Sequence, residues 1–265
     1  MTMPVQGRDD LSDALAELRL RQGQGARADS DAAPHDALRW ARVGTAYFAR
    51  LLRSLRDADL AQPSLLPGWS RAHVVAHVGY NARALARLCE WAETGVETPM
   101  YSSPEARNHE IDRGATLPSR ALRHLFDHSA VHLNVMWRDL ADAAWERPVR
   151  TARGRQVPVT ETAFMRAREV WVHAVDLDNG GSFLDFPTDF LEALLRDVID
   201  SWERRGPEPA FTLQLQETGR TFTIGSGEGP IVSGTLPDAV RWMTGRGDRR
   251  LAAAGGALPT LPEWL

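Results

Sequence analysis

The chain has 265 residues, 43% hydrophobic and 25% charged, which is ordinary for a soluble globular protein able to bury one large core or two modest ones. Its formal net charge of −4 argues against a nucleic-acid partner, and no apolar run approaches the roughly eighteen residues of a membrane span. All 31 basic residues are arginine, so lysine Schiff-base chemistry is excluded and any carboxylate-bearing ligand must be met by guanidinium.

Residues 1–35 read as a leader, partly disordered, with a short helix expected around Leu11 to Leu20. The stretch lacks the apolar core of a secretory signal, so the expected compartment is the cytoplasm. The first long helix is predicted near Asp36 to Leu55, where Tyr47, Phe48, Leu51, Leu52 and Leu55 recur at helical spacing. Leu66-Pro67-Gly68-Trp69 breaks the pattern and Ser70 offers an N-cap for a second helix. Its stripe is Val74, Val78, Asn81, Leu85 and Leu88, and His77 flanks it, so His77 should point inward. A long connection follows from Thr94 to Leu117, of a length that usually marks function or mobility. A third helix is predicted from about Ser119 to Ala141 and a fourth from about Thr160 to Leu177.

Beyond about residue 184 the pattern changes. A helix opens at Pro187-Thr188-Asp189, carries the stripe Leu191, Leu194, Leu195, Val198, Ile199, Trp202, and stops at Gly206. Alternation from Ala210 to Gln216, a turn at Glu217 to Arg220, a strand to Gly225, another from Pro230 to Ser233, and a short helix near Pro237 to Thr244 complete the reading. The expected fold is mainly α with a smaller α+β part: a metal-binding four-helix bundle over 36–183, then a small α+β domain over 184–265.

Glu169 and His173 lie four residues apart and should stack one turn apart on the fourth helix. With His77 from the second helix they would make a two-nitrogen, one-carboxylate set, and three protein ligands leave a coordination position open, as in catalytic zinc sites. Rivals exist. His73 precedes His77 by one turn, and spacing alone leaves either or both as ligands. His124, His128 and His132 form a stripe on the third helix, but its ends are about 12 Å apart, too far to wrap one ion; His128 could instead hydrogen-bond a ligand from behind. Cys89 follows His77 by about 18 Å of helix, so it reads as a buried inert thiol, and a sulfur nucleophile would have to come from outside the protein. Arg246, between Gly245 and Gly247 after the last helix, reads either as a solvated cap residue or as an arginine aimed across a domain boundary.

Several of these segments together resemble the mycothiol-dependent maleylpyruvate isomerase family, from about residue 38 to the C-terminus. The resemblance is carried by Gly68-Trp69-Ser70-Arg71 with Ala76-His77-Val78 and Tyr80-Asn81-Ala82, and by Glu97-Thr98-Pro99-Met100-Tyr101 with Ser103 to Asn108. It extends to Arg168-Glu169-Val170-Trp171 with His173 to Leu177, and to Gly245-Arg246-Gly247. It implies a DinB-like four-helix bundle followed by a domain similar to sterol-carrier proteins. It also implies zinc held by His77, Glu169 and His173, an essential arginine at Arg246, and mycothiol as the thiol cofactor. The implied reaction is isomerisation of maleylpyruvate to fumarylpyruvate in gentisate-pathway aromatic degradation, by reversible thiol addition to the double bond. The expected partners are therefore a dicarboxylate keto acid and a small thiol, and the expected form is a monomer. Arg107, Arg166 and Asn81 are candidates to hold the sugar portion of the thiol. Two other functions fit the same residues: a zinc-dependent mycothiol S-transferase acting on electrophiles, and a non-catalytic zinc-stabilised bundle that binds a lipid or protein partner.

Overall fold

A computed structural model describes residues 28–206 and 209–264. The short helix expected around Leu11 to Leu20 lies outside the described residues. Four long helices form the bundle: α1 (His35–Ser54), α2 (Arg71–Thr94), α4 (Ser119–Asp139) and α5 (Glu161–Asp176), with α3 (Pro104–Ala115) packed on α2. Helix α2 packs along α4, α1 along α5, and α2 also meets α5. The predicted stripe of α2 is buried throughout, and His77 is 5% exposed, facing inward as expected. No helix among the described residues is long and apolar enough to cross a membrane.

The Thr94 to Leu117 connection is not the loop expected: half of it is α3. Ser103 accepts a hydrogen bond from the Ala106 amide and Pro104 occupies the first turn, where its missing N–H costs nothing. Few apolar residues face the core from α3 (Ile111 and Gly114 are its buried positions), so its hydrophobic periodicity is weak. Between α4 and α5 lies a two-stranded hairpin, β1 (Pro148–Arg150) and β2 (Gln156–Pro158), which the sequence reading did not anticipate.

Close helix approach sets the position of α5. Gly44 of α1 lies so near α5 that a Cβ there would meet the Trp171 ring at 2.6 Å and Val170 at 2.7 Å. Trp171 in turn donates its indole N–H to the Trp40 carbonyl at 2.9 Å and stacks on Tyr47 with ring centres 4.9 Å apart.

The last part consists of α6 (Thr188–Arg205), a four-stranded sheet and α7 (Leu236–Met243). The sheet order is β4 (Thr221–Ile224), β3 (Phe211–Leu215), β5 (Ile231–Gly234), β6 (Ala252–Ala253), with β3 and β5 parallel and the other neighbours antiparallel. Phe211, Leu213 and Leu215 are buried, the inward side of the predicted alternation. Helix α6 bridges the two parts: its Phe190 ring lies 5.7 Å from Trp40 and 5.9 Å from Trp171, while the helix also packs along α7. The fold is mainly α with a smaller α+β part.

Candidate metal centre and active site

Two arginines join α2 to α5. At the start of α2, Pro67 and Gly68 make a turn closed by the Trp69 amide donating to the Leu66 carbonyl at 3.1 Å. Gly68 has φ +77°, the conformation that a turn with proline at its second position demands at its third. Ser70 then caps α2, and Arg71 donates to the Leu177 and Asp178 carbonyls, both at 2.7 Å, just past the C-terminus of α5. Further along, Arg166 of α5, 1% exposed, donates to the Val78 carbonyl at 2.6 Å and to Asn81 Oδ1 at 3.0 Å. Arg166 and Asn81 thus help to hold the helices together, while Arg166 Nη2 stays buried with no hydrogen-bond partner among the described residues.

Between these two fastenings His77, Glu169 and His173 converge. One ligand-capable atom from each lies within 4.8 Å of the others. His77 Nε2 is 2.8 Å from Glu169 Oε2, and His173 Nε2 is 3.2 Å from the same oxygen. The two imidazole rings stand perpendicular, with centres 4.7 Å apart, and the edge of Trp69 closes on His77 at 5.5 Å. Among the described residues this is the set that could hold a metal ion.

The charges in the cluster follow from burial and pairing. Burial would raise the Glu169 carboxyl, but His77 and His173 outweigh it and hold it well below the usual range. Burial dominates at His77 and lowers it, so that imidazole is neutral at pH 7. At His173 burial also pulls down, but the Asp176 and Glu169 carboxylates outweigh it and raise the imidazole to about 9. His173 Nδ1 lies 2.8 Å from Asp176 Oδ2, which fixes the ring so that Nε2 faces Glu169.

Arg246 completes the arrangement. It reaches back from beyond α7 and donates from Nε to Asp176 Oδ1 at 3.1 Å and from Nη2 to Asp176 Oδ2 at 2.7 Å. The reading of a solvated cap residue is thereby corrected: Arg246 is aimed across to the bundle, and its glycine neighbours have φ +78° and +98°, open to them at little cost. Burial pushes Asp176 up, but His173 and Arg246 outweigh that and bring it to about 2. Sequence reasoning did not single out Asp176, although a carboxylate one turn beyond a candidate ligand histidine is a recognisable signal.

The other histidines stand apart. His73 Nδ1 lies 2.7 Å from the Ser70 hydroxyl, inside the cap of α2. His124, His128 and His132 are exposed on α4, the first two stacked with centres 5.7 Å apart, so the second-line role considered for His128 is not met; Asp176 occupies it. Arg107 of α3 approaches His77 Nδ1 at 3.4 Å. Cys89 is buried, and burial pushes its thiol up to about 12, so it is no nucleophile at neutral pH.

Two imidazole nitrogens and one carboxylate oxygen at this spacing, with a carboxylate behind one histidine, suit a divalent ion of the zinc type. A helical bundle that gathers such a set from two helices, beside an arginine delivered by a small α+β part, defines an enzyme architecture with a candidate metal site. Residues 41–178 match the family described as the mycothiol maleylpyruvate isomerase N-terminal domain. Two solved structures are also similar, a mycothiol-dependent maleylpyruvate isomerase and a histidine-to-alanine mutant of it. Each is 42% identical, with a TM-score of 0.84, covering 87% of this chain and 96% of theirs. No curated protein matches the chain. The chain belongs to the mycothiol-dependent maleylpyruvate isomerase family.

Proposed function

We propose that this protein is a zinc- and mycothiol-dependent cis–trans isomerase that converts maleylpyruvate to fumarylpyruvate, a step of gentisate-pathway aromatic degradation. The observation that carries the reading is the convergence of His77, Glu169 and His173 next to an arginine held by Asp176. Family membership and the two similar structures, both of a mycothiol-dependent maleylpyruvate isomerase, support the isomerase role and the thiol.

Turning a cis alkene into its trans isomer requires the double bond to become single for a moment; mycothiol would supply the thiol that adds and leaves, since the chain's own thiol, Cys89, is buried. Zinc held by His77, Glu169 and His173 would supply the positive charge that keeps a thiol sulfur as thiolate at neutral pH. The remaining work falls to the protein. Asp176 keeps the His173 ring oriented through Nδ1 and keeps Arg246 extended toward the site. Arg246 uses three of its five N–H donors on Asp176 and the Thr244 carbonyl, and the other two are available for a substrate carboxylate or for the negative charge that develops on its oxygens. The Trp69 ring stands against His77 on one side.

The test is maleylpyruvate loss followed optically with zinc-loaded protein, with and without mycothiol, while free thiol is counted. The reading predicts turnover only with thiol, and thiol recovered in full. Turnover without thiol rejects the mechanism. Stoichiometric thiol consumption on an electrophile without isomerisation would assign the S-transferase function instead.

A further inference from the structure

The segment joining α2 to α3 and the adjoining side of α3 border a second space, a cavity of about 340 Å³ open to solvent on one side. Its walls include Arg87, Thr98, Tyr101, Ser102 and Glu110. They are preorganised: Arg87 donates to the Pro99 carbonyl at 3.2 Å and to that of Met100, and the Thr98 hydroxyl donates to the Arg87 carbonyl at 2.6 Å. The Arg87 guanidinium also lies 5.8 Å from the centre of the Tyr101 ring. Yet one group is unmet. Glu110 Oε2 is buried and has no hydrogen-bond partner among the described residues, which is costly unless a ligand supplies an O–H or N–H donor.

The cavity adjoins the metal centre. On α3, Ala106 and Glu110 line it, while the intervening Arg107 reaches His77. Tyr101 forms part of the shared wall: burial, with the Glu169 charge next, pushes its hydroxyl up to about 12, so it remains a donor. The size falls within the range of small-ligand pockets, and the lining offers a carboxylate acceptor, guanidinium and hydroxyl groups, and an aromatic ring. That combination suits a polyhydroxylated ring system, whose hydroxyls can meet the polar groups while its ring faces lie on Pro99, Tyr101 and Ala106.

We infer that this cavity receives the hydroxyl-rich sugar portion of the thiol, whose sulfur end reaches past Tyr101 to His77, Glu169 and His173. The inference rests on the thiol-dependent reading above and gives the Glu97 to Ser102 segment, conspicuous in the sequence and otherwise without a role, its function.

The experiment measures binding rather than turnover. Calorimetry on the zinc-loaded full chain is run with mycothiol, with its sulfur-free glucosaminyl-inositol portion, and with N-acetylcysteine as a sugar-free thiol. The expected result is that wild type binds the sulfur-free portion, which also competes with mycothiol. Glu110→Gln and the cavity-filling Ala106→Phe should each weaken both by about 10-fold and reduce the preference for mycothiol over N-acetylcysteine by a similar factor. Zinc content and thermal unfolding of each variant verify its fold, and the wild-type competition needs no variant. The inference is overturned if wild type does not bind the sulfur-free portion, or if both folded variants bind it as wild type does. Failure of the functional reading looks different: tight binding of the sulfur-free portion without any isomerisation would leave the subsite standing.

Discussion

Asp176 and Arg246 form a two-bonded ion pair across 70 positions of sequence, and the same carboxylate takes the Nδ1 side of His173. A candidate metal ligand and a candidate substrate-binding arginine are therefore oriented by a single wholly buried group. Replacing Asp176 with Asn keeps the shape but removes the charge that both partners need. The expected outcome is a fall in zinc affinity of about 10- to 100-fold, the usual cost of losing such a supporting carboxylate. Competition with a chromophoric chelator measures it; unchanged affinity would mean that Asp176 does not orient the ligand.

Arg246 should not tolerate Lys. An ammonium cannot reproduce the paired grip on a carboxylate, so Arg246→Lys should lower kcat/KM by about 100-fold. Arg246→Ala additionally leaves the Asp176 charge without its guanidinium, and should cost about 3 kcal/mol of stability. Steady-state kinetics and denaturant unfolding separate the two effects, because Lys retains part of the charge compensation and Ala retains none.

Metal binding should release a proton. His77 is lowered and already neutral at pH 7, whereas His173, raised to about 9, is charged in the metal-free protein and must lose its proton to ligate. Zinc affinity should thus rise by about 10-fold per pH unit up to pH 9 and then level off. Calorimetry in buffers of different ionisation enthalpy should find about one proton released per zinc at pH 7. In the metal-free protein the signs are fixed by the same groups. His173, raised above 6.5, contributes stability that is complete below that value and is lost as pH rises through about 9. Asp176, depressed to about 2, contributes stability present above 3.8 and lost as pH falls through about 2.

Gly44→Ala probes how α5 is placed. The added methyl group would collide with Trp171 and Val170, the residues that follow Glu169, so α5 must shift away from α1. Overpacking of this kind costs about 1–3 kcal/mol. Thermal unfolding should show the loss, and zinc affinity should fall with it because Glu169 and His173 ride on the displaced helix.

How far the sequence disclosed this arrangement depended on whether a feature was periodic and local. Helices α1, α2, α4, α5 and α6 were readable because each is long; α1, α4 and α6 bury one striped face, α2 and α5 most of their surface, and Ser70 and Gly206 mark ends. Helix α3 was not, because it packs on α2 with few apolar residues and its only strong signal was the Ser103-Pro104 start. The three-residue strands of the hairpin are too short to show alternation. Glu169 and His173 were visible as a one-turn pair and His77 by its flanking position, but which of His73 and His77 faces the pair was a matter of helix phase. The clasp between Asp176 and Arg246 is wholly tertiary; two glycines around an arginine hinted at it without indicating its partner.

The most direct test of the account is X-ray absorption at the zinc edge of the loaded protein, before and after adding mycothiol. Three protein ligands with an open position predict nitrogen and oxygen neighbours at about 2.0–2.2 Å, joined on thiol addition by one sulfur at about 2.3 Å. The same signal should vanish in His77→Ala. A sulfur shell that never appears, or a zinc environment unaffected by removing His77, would contradict it.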